Sequence, residues 1–263
     1  MTFLSLSTAS LYTIVWLFML PLFSQNLKTY YLKVGVGMAI VLHSGLTALS
    51  ITAQQGFDFG FFKIALLLFL VINALLLISS LKKSVFSLFI LMLPLSVVAI
   101  LAHTVFGESS EHPIHLSAGI AVHILSSVLA YSLLTIATLQ ALLLTYQEYQ
   151  LKHHTVRKVL RVLPPLQTMD KLLFEVIGLG FGLLCISVAT GIIFIDNIFA
   201  QQLAHKTLFS FMSIAIYSVL IWGRMQYGWR GMTATRWVLS GFCLLMLAYF
   251  GTKFVLELLL TSS

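Results

Sequence analysis

Eight apolar stretches of membrane-spanning length recur along the chain, at about 3–23, 34–53, 60–80, 85–106, 116–146, 172–196, 205–224 and 236–260. About 20 helical residues cross the hydrocarbon core of a bilayer, so each stretch reads as a span. A backbone in lipid has to satisfy its own hydrogen bonds, which leaves only helices or a closed barrel. Barrel strands would show as short alternating segments, whereas these stretches are long and continuously apolar. The expected fold is an all-α polytopic transmembrane helical bundle of about eight spans. It forms a single integral-membrane domain over residues 1–263.

Composition excludes the alternatives. With 59% hydrophobic and 9% charged residues, the chain does not describe a soluble globular domain. The longest polar connection, about 147–170, has room only for a short surface helix. Residues 1–23 lack a basic leading segment and a small-residue cleavage site, so they read as the first span rather than a signal peptide.

Lysine and arginine set the expected orientation. Lys28, Lys33, Lys82, Lys83, Lys152, Arg157, Lys158, Arg161, Lys171, Arg224, Arg230 and Arg236 follow spans 1, 3, 5 and 7. Only Lys63, Lys206 and Lys253 fall on the other side. That asymmetry places the basic connections in the cytoplasm and both termini outside. The net charge of +7 then belongs to a rim facing the anionic headgroups of a bacterial inner membrane, and no nucleic-acid partner is implied. In "YGWRGMTATRW", Trp229 and Trp237 read as interfacial anchors, with Arg224, Arg230 and Arg236 facing headgroups or a protein partner.

Cys185 and Cys243 lie in separate spans without a CxxC, so thiol exchange and covalent heme attachment have no site, and both read as buried, inert thiols. Asn73 and the run Ser126, Ser127, Ser132, Thr135, Thr138 read mostly as interhelical glue. Gly178, Gly180, Gly182 and Gly191 give span 6 a small-residue surface for close packing. No set of residues suggests catalysis, and the chain is not expected to be an enzyme.

Histidine is the remaining chemistry. Four of the eight histidines lie in "HTVFGESSEHPIHLSAGIAVH", from His103 to His123, at the expected outer edge. His103 ends span 4, His112 and His115 lie in the loop, and His123 is about 10 Å down span 5. His205 belongs to the next outer loop, His43 lies near mid-membrane on span 2, and His153 and His154 belong to the basic side. His115 and His123 are about 12 Å apart along a helix axis and cannot clasp one small ion. Heme asks for two axial ligands on opposite faces of a flat ring, normally from different helices, and His43 with His123 meets that demand. An ordinary interhelical hydrogen bond remains the plain alternative for each buried histidine.

From about 115 to 260 the chain resembles the cytochrome c assembly proteins, the membrane group that handles heme for c-type cytochromes. The resemblance rests on "AVHILSSVLAYSLLTIATLQALLL", "MDKLLFEVIGLGFGLLCISVATGIIF" and "IYSVLIWGRMQYGWRGMTATRWVLSGFCLLMLAYFGTKFV". Within that family it is most similar to the eight-span YpjD-like branch. The resemblance implies that His123 is an axial heme ligand. Departures are equally plain: "DNIFAQQLAHKTLFSF" replaces the family's tryptophan-rich outer segment, Trp222 stands where the next span carries a histidine, and "LELLLTSS" lacks the final one. The reading is a protein that binds heme b for cytochrome biogenesis, the iron held by His123 and His43, with His103, His115 and His205 as further candidate ligands. The alternative is a heme-free accessory or regulatory subunit that kept the fold.

Overall fold

The computed structural model describes residues 2–20, 26–53, 56–82, 86–107, 117–153, 165–194 and 201–251, without the side chains at 26–28, 53, 82, 201–205, 250 and 251. Eight helices follow one another: α1 Thr2–Met19, α2 Asn26–Ile51, α3 Phe61–Lys82, α4 Phe89–Phe106, α5 Ala118–Lys152, α6 Leu166–Phe194, α7 Gln201–Tyr227 and α8 Gly231–Met246. A π-helical turn, Leu247–Gly251, continues α8. Each expected span has its helix, long and apolar enough to cross a membrane. Between α2 and α3 a two-residue hairpin pairs Thr52 with Phe57 and Ala53 with Gly56.

The largest shifts in boundary lie on the basic side. α5 runs on to Lys152, α6 already begins at Leu166 and α8 at Gly231. Gln147 and Gln150 stay buried against protein there, so packing carries α5 past the apolar stretch. The turn from α7 to α8 uses Gly228 and Gly231, both in the left-handed region at φ 64° and 53°.

The chain packs as two compact units, residues 1–115 with 156–164, and residues 116–155 with 165–263. In the first, α1 packs on α4 and α2, and α3 packs on α4 and α2. Pro94 interrupts α4, and the amide it lacks would have bonded Ile90 O one turn back. The indole Nε1–H of Trp16 on α1 donates to that carbonyl at 3.0 Å. A backbone group orphaned in lipid is thereby satisfied by a neighbouring helix.

In the second unit α5 and α6 make the most extensive pair, and α8 packs on α5 and α7. Only part of the expected small-residue surface takes part. A Cβ on Gly180 would stand 2.9 Å from Leu134, whereas Gly178 and Gly182 have nothing within 4 Å. Most of the serine and threonine run also departs from the expected glue. Ser126, Ser132, Thr135 and Thr138 donate to carbonyls of their own helix, four residues back. A hydroxyl in lipid finds its nearest acceptor on its own helix without needing a partner. The thiols are free, but they are not both buried: Cys185 is half-buried and Cys243 lies on the outer surface of α8.

Candidate ligand site

Ser117 caps α5, its hydroxyl accepting from the Ile120 amide at 3.4 Å. That start places Gly119, His123 and Ser127 on successive turns of one face. The face meets α6. The Phe194 ring fills the space where Gly119 would carry a Cβ, and a Cβ on Gly191 would come within 3.0 Å of the His123 ring. Ser127 Oγ meets Ser187 Oγ at 2.5 Å. Glycine at 119 and 191 thus brings the helices close enough for the His123 imidazole to lie against α6.

His123 Nδ1 bonds the backbone carbonyl of Ser187 at 2.8 Å. A carbonyl only accepts, so Nδ1 carries the proton and the lone pair is left on Nε2. An imidazole that ligates a metal commonly has its other nitrogen held this way, which fixes both tautomer and ring orientation. The ring is half-buried, and the Lys206 ammonium lies near enough to act on it electrostatically. Lys206 also sits 5.1 Å over the Tyr249 ring, which packs edge-on against Tyr131. The result is one fixed imidazole with an open nitrogen, a cation and two aromatic rings within the second unit.

His43 has a different setting. It is fully buried in the first unit, with Nδ1 at 3.3 Å from the Tyr12 hydroxyl and Nε2 without a partner. His103 presents Nε2 to Ser50 Oγ at 3.0 Å, and its Nδ1 is buried without a partner. His205 falls in the first turns of α7 rather than in a loop, and its side chain is outside the described residues. His112, His115 and His154 are outside them altogether. His153 caps the end of α5 and is exposed. Among the described residues no three His, Cys, Asp or Glu side chains converge as a metal site.

Sequence reasoning missed two ion pairs. Lys63 and Asp58 form a buried pair, with Asp58 also accepting from the Gly60 amide at 2.9 Å. Arg224 donates to Asp170 at 2.5 Å and to Trp229 O at 2.9 Å, and lies 4.2 Å over the Phe174 ring. This corrects the expectation that Arg224 faces headgroups or a partner: it is turned inward because Asp170 on α6 supplies the counter-charge. Arg230 and Arg236 do remain exposed. Trp229 stacks on Trp237 at 5.5 Å.

The fold defines a multi-pass helical membrane protein with a histidine held in a fixed orientation on the α5–α6 pair. The family model for "Cytochrome C assembly protein" matches residues 35–260, and the chain belongs to that family. It is 34% identical over 152 residues to "Inner membrane protein YpjD" of Escherichia coli K12, covering 57% of each chain. It is also 34% identical over 143 residues to an "Uncharacterized 28.8 kDa protein in nifR3-like 5'region" of Azospirillum brasilense, covering 54% of this chain and 53% of that one. The matches thus span a little over half the length of these relatives. No solved structure matches. Eight membrane-length helices and an inner-membrane relative make this a multi-pass inner-membrane protein.

Proposed function

We propose that the protein binds heme b at His123 and holds or handles it for cytochrome biogenesis, as a binding protein rather than an enzyme. The carrying observation is the 2.8 Å bond from His123 Nδ1 to Ser187 O, which leaves Nε2 as a fixed, directed donor. Lys206 supplies a positive charge suited to a propionate. Bound heme would supply an iron centre whose potential and reactivity the axial ligands set. We take the second ligand from the unit that holds His123, at His205 on α7. Exposed Arg230 and Arg236 mark where a peripheral partner would dock on the basic side.

A pyridine hemochrome assay on detergent-purified protein tests the reading. Near-stoichiometric heme with a Soret band supports it, and a colourless protein expressed with ample heme overturns it. The second reading, a heme-free accessory subunit, is favoured by the absence of tryptophan from "DNIFAQQLAHKTLFSF", and the colourless outcome selects it. The orientation belongs to the same proposal: fusions in the 147–170 connection should report cytoplasm and fusions at the C-terminus periplasm. A cytoplasmic C-terminus would put the His123 end of α5 on the wrong side for delivery to a periplasmic cytochrome.

A further inference from the structure

The interior of the four-helix unit formed by α1 to α4 is polar at two levels. The deeper level takes one side chain from each helix: Tyr12, His43, Asn73 and Ser96, all fully buried. They form a continuous chain. Asn73 Nδ2 donates to Ser96 Oγ at 2.8 Å, the Asn73 amide adjoins the Tyr12 hydroxyl, and Tyr12 meets His43 Nδ1. Two atoms in it have no partner, His43 Nε2 and Asn73 Oδ1.

The second level again draws on all four helices. Ser5, Ser50, Lys63 and His103 lie there, with Asp58 from the segment before α3 paired to Lys63. Ser5 precedes Tyr12, and Ser50 and His103 follow His43 and Ser96, each by seven residues, so helix rise sets the levels about 10 Å apart. Thr8 and Thr47, both buried, occupy the turns between them. Orphaned polar atoms at such depth are costly, and water is the usual partner that relieves them.

We propose that this column holds water and carries protons from the Asp58–Lys63–His103 level to His43. With Nδ1–H donating to the Tyr12 oxygen, the Nε2 lone pair takes a proton from a neighbouring water while the water chain is re-protonated from the Lys63 ammonium, giving an imidazolium at His43 and a neutral amine at Lys63. Return of that proton restores both. Among the described residues, the buried or half-buried titratable side chains of this unit besides His43 are Tyr12, Asp58, Lys63 and His103, with Lys33 at the opposite end of α2 donating to Ser80 O at 2.6 Å. Proton movement along this column does not depend on heme at His123.

Deuterium exchange at the imidazole Cε1, read by mass spectrometry on the whole detergent-solubilised chain, tests it. This carbon exchanges through the imidazolium, so the signal needs both water and protonation. The expected result is exchange at His43 within about tenfold of exposed His153, with Ser50→Val slowing His43 at least fivefold and leaving His153 unchanged. A His43 that stays unlabelled while His153 exchanges fully means dry interhelical hydrogen bonds, and the proposal fails. An unchanged His43 rate in a folded Ser50→Val protein overturns the path through that level.

Discussion

In the first unit the polar side chains face one another across the interior; in the second they line the seam between two helices. His43 and His123 bear the consequence. Each has Nδ1 engaged, but His43 meets a hydroxyl and His123 a backbone carbonyl. A carbonyl permits one tautomer and a hydroxyl permits either. On the proposed readings, His123 serves as a directed donor toward a ligand and His43 as a group whose protons can be rearranged. One residue type in two helical packings acquires two chemistries from the atom that faces Nδ1.

The largest expected effect tests the His123 side of this contrast. His123→Ala should remove at least nine-tenths of bound heme by pyridine hemochrome, whereas Leu125→Ala, on the exposed face of the same helix, should retain it. Equal retention in both variants would erase the distinction. Gly191→Ala comes next. Its new Cβ would press the His123 ring from 3.0 Å and tilt it from the Ser187 carbonyl. Disturbing the hydrogen bond that orients a ligating imidazole costs about tenfold in ligand affinity. A heme titration that matches wild type would show that ring placement is unimportant.

Tyr12→Phe should act on stability and leave heme binding alone. It strips His43 Nδ1 of its partner inside the first unit, at a cost of about 1–3 kcal/mol in chemical unfolding, with heme content unchanged. Loss of heme in this variant would join two sites that the contrast separates. The smallest effect compares two glycines of α6. Gly180→Ala should destabilise by about 1–2 kcal/mol by crowding Leu134, while Gly178→Ala should be neutral or slightly stabilising. Similar unfolding midpoints for the two would mean that the α5–α6 seam is looser than the 2.9 Å approach implies.

The spans were legible because lipid punishes exposed backbone and charge, and length with apolarity is enough to find them. His123 was legible from its place in "AVHILSS". Its partner was not, since the Ser187 carbonyl is a backbone atom 64 residues away, brought there by helix register. The deeper level of the first unit was half visible. Asn73 and His43 stood out as polar residues in apolar spans, but Tyr12 passed as one more aromatic and Ser96 as one more small residue. Asp58 and Lys63 carried a usable signal, opposite charges five residues apart at a span entrance. Asp170 and Arg224 carried none, because 54 residues separate them.

The helices also differ in reach. α5, at 35 residues, is about 52 Å long, and α1, at 18 residues, about 27 Å. A hydrocarbon slab of about 30 Å leaves α5 long overhangs, while α1 falls a little short of it. Changes in acyl-chain length therefore strain the two helices unequally. A thicker bilayer has to thin locally around α1, at fractions of a kcal/mol per Å of mismatch, whereas α5 has length to spare. Membrane elasticity thus bears on the helix that carries Tyr12, so lipid thickness becomes a mechanical input to the four-helix unit.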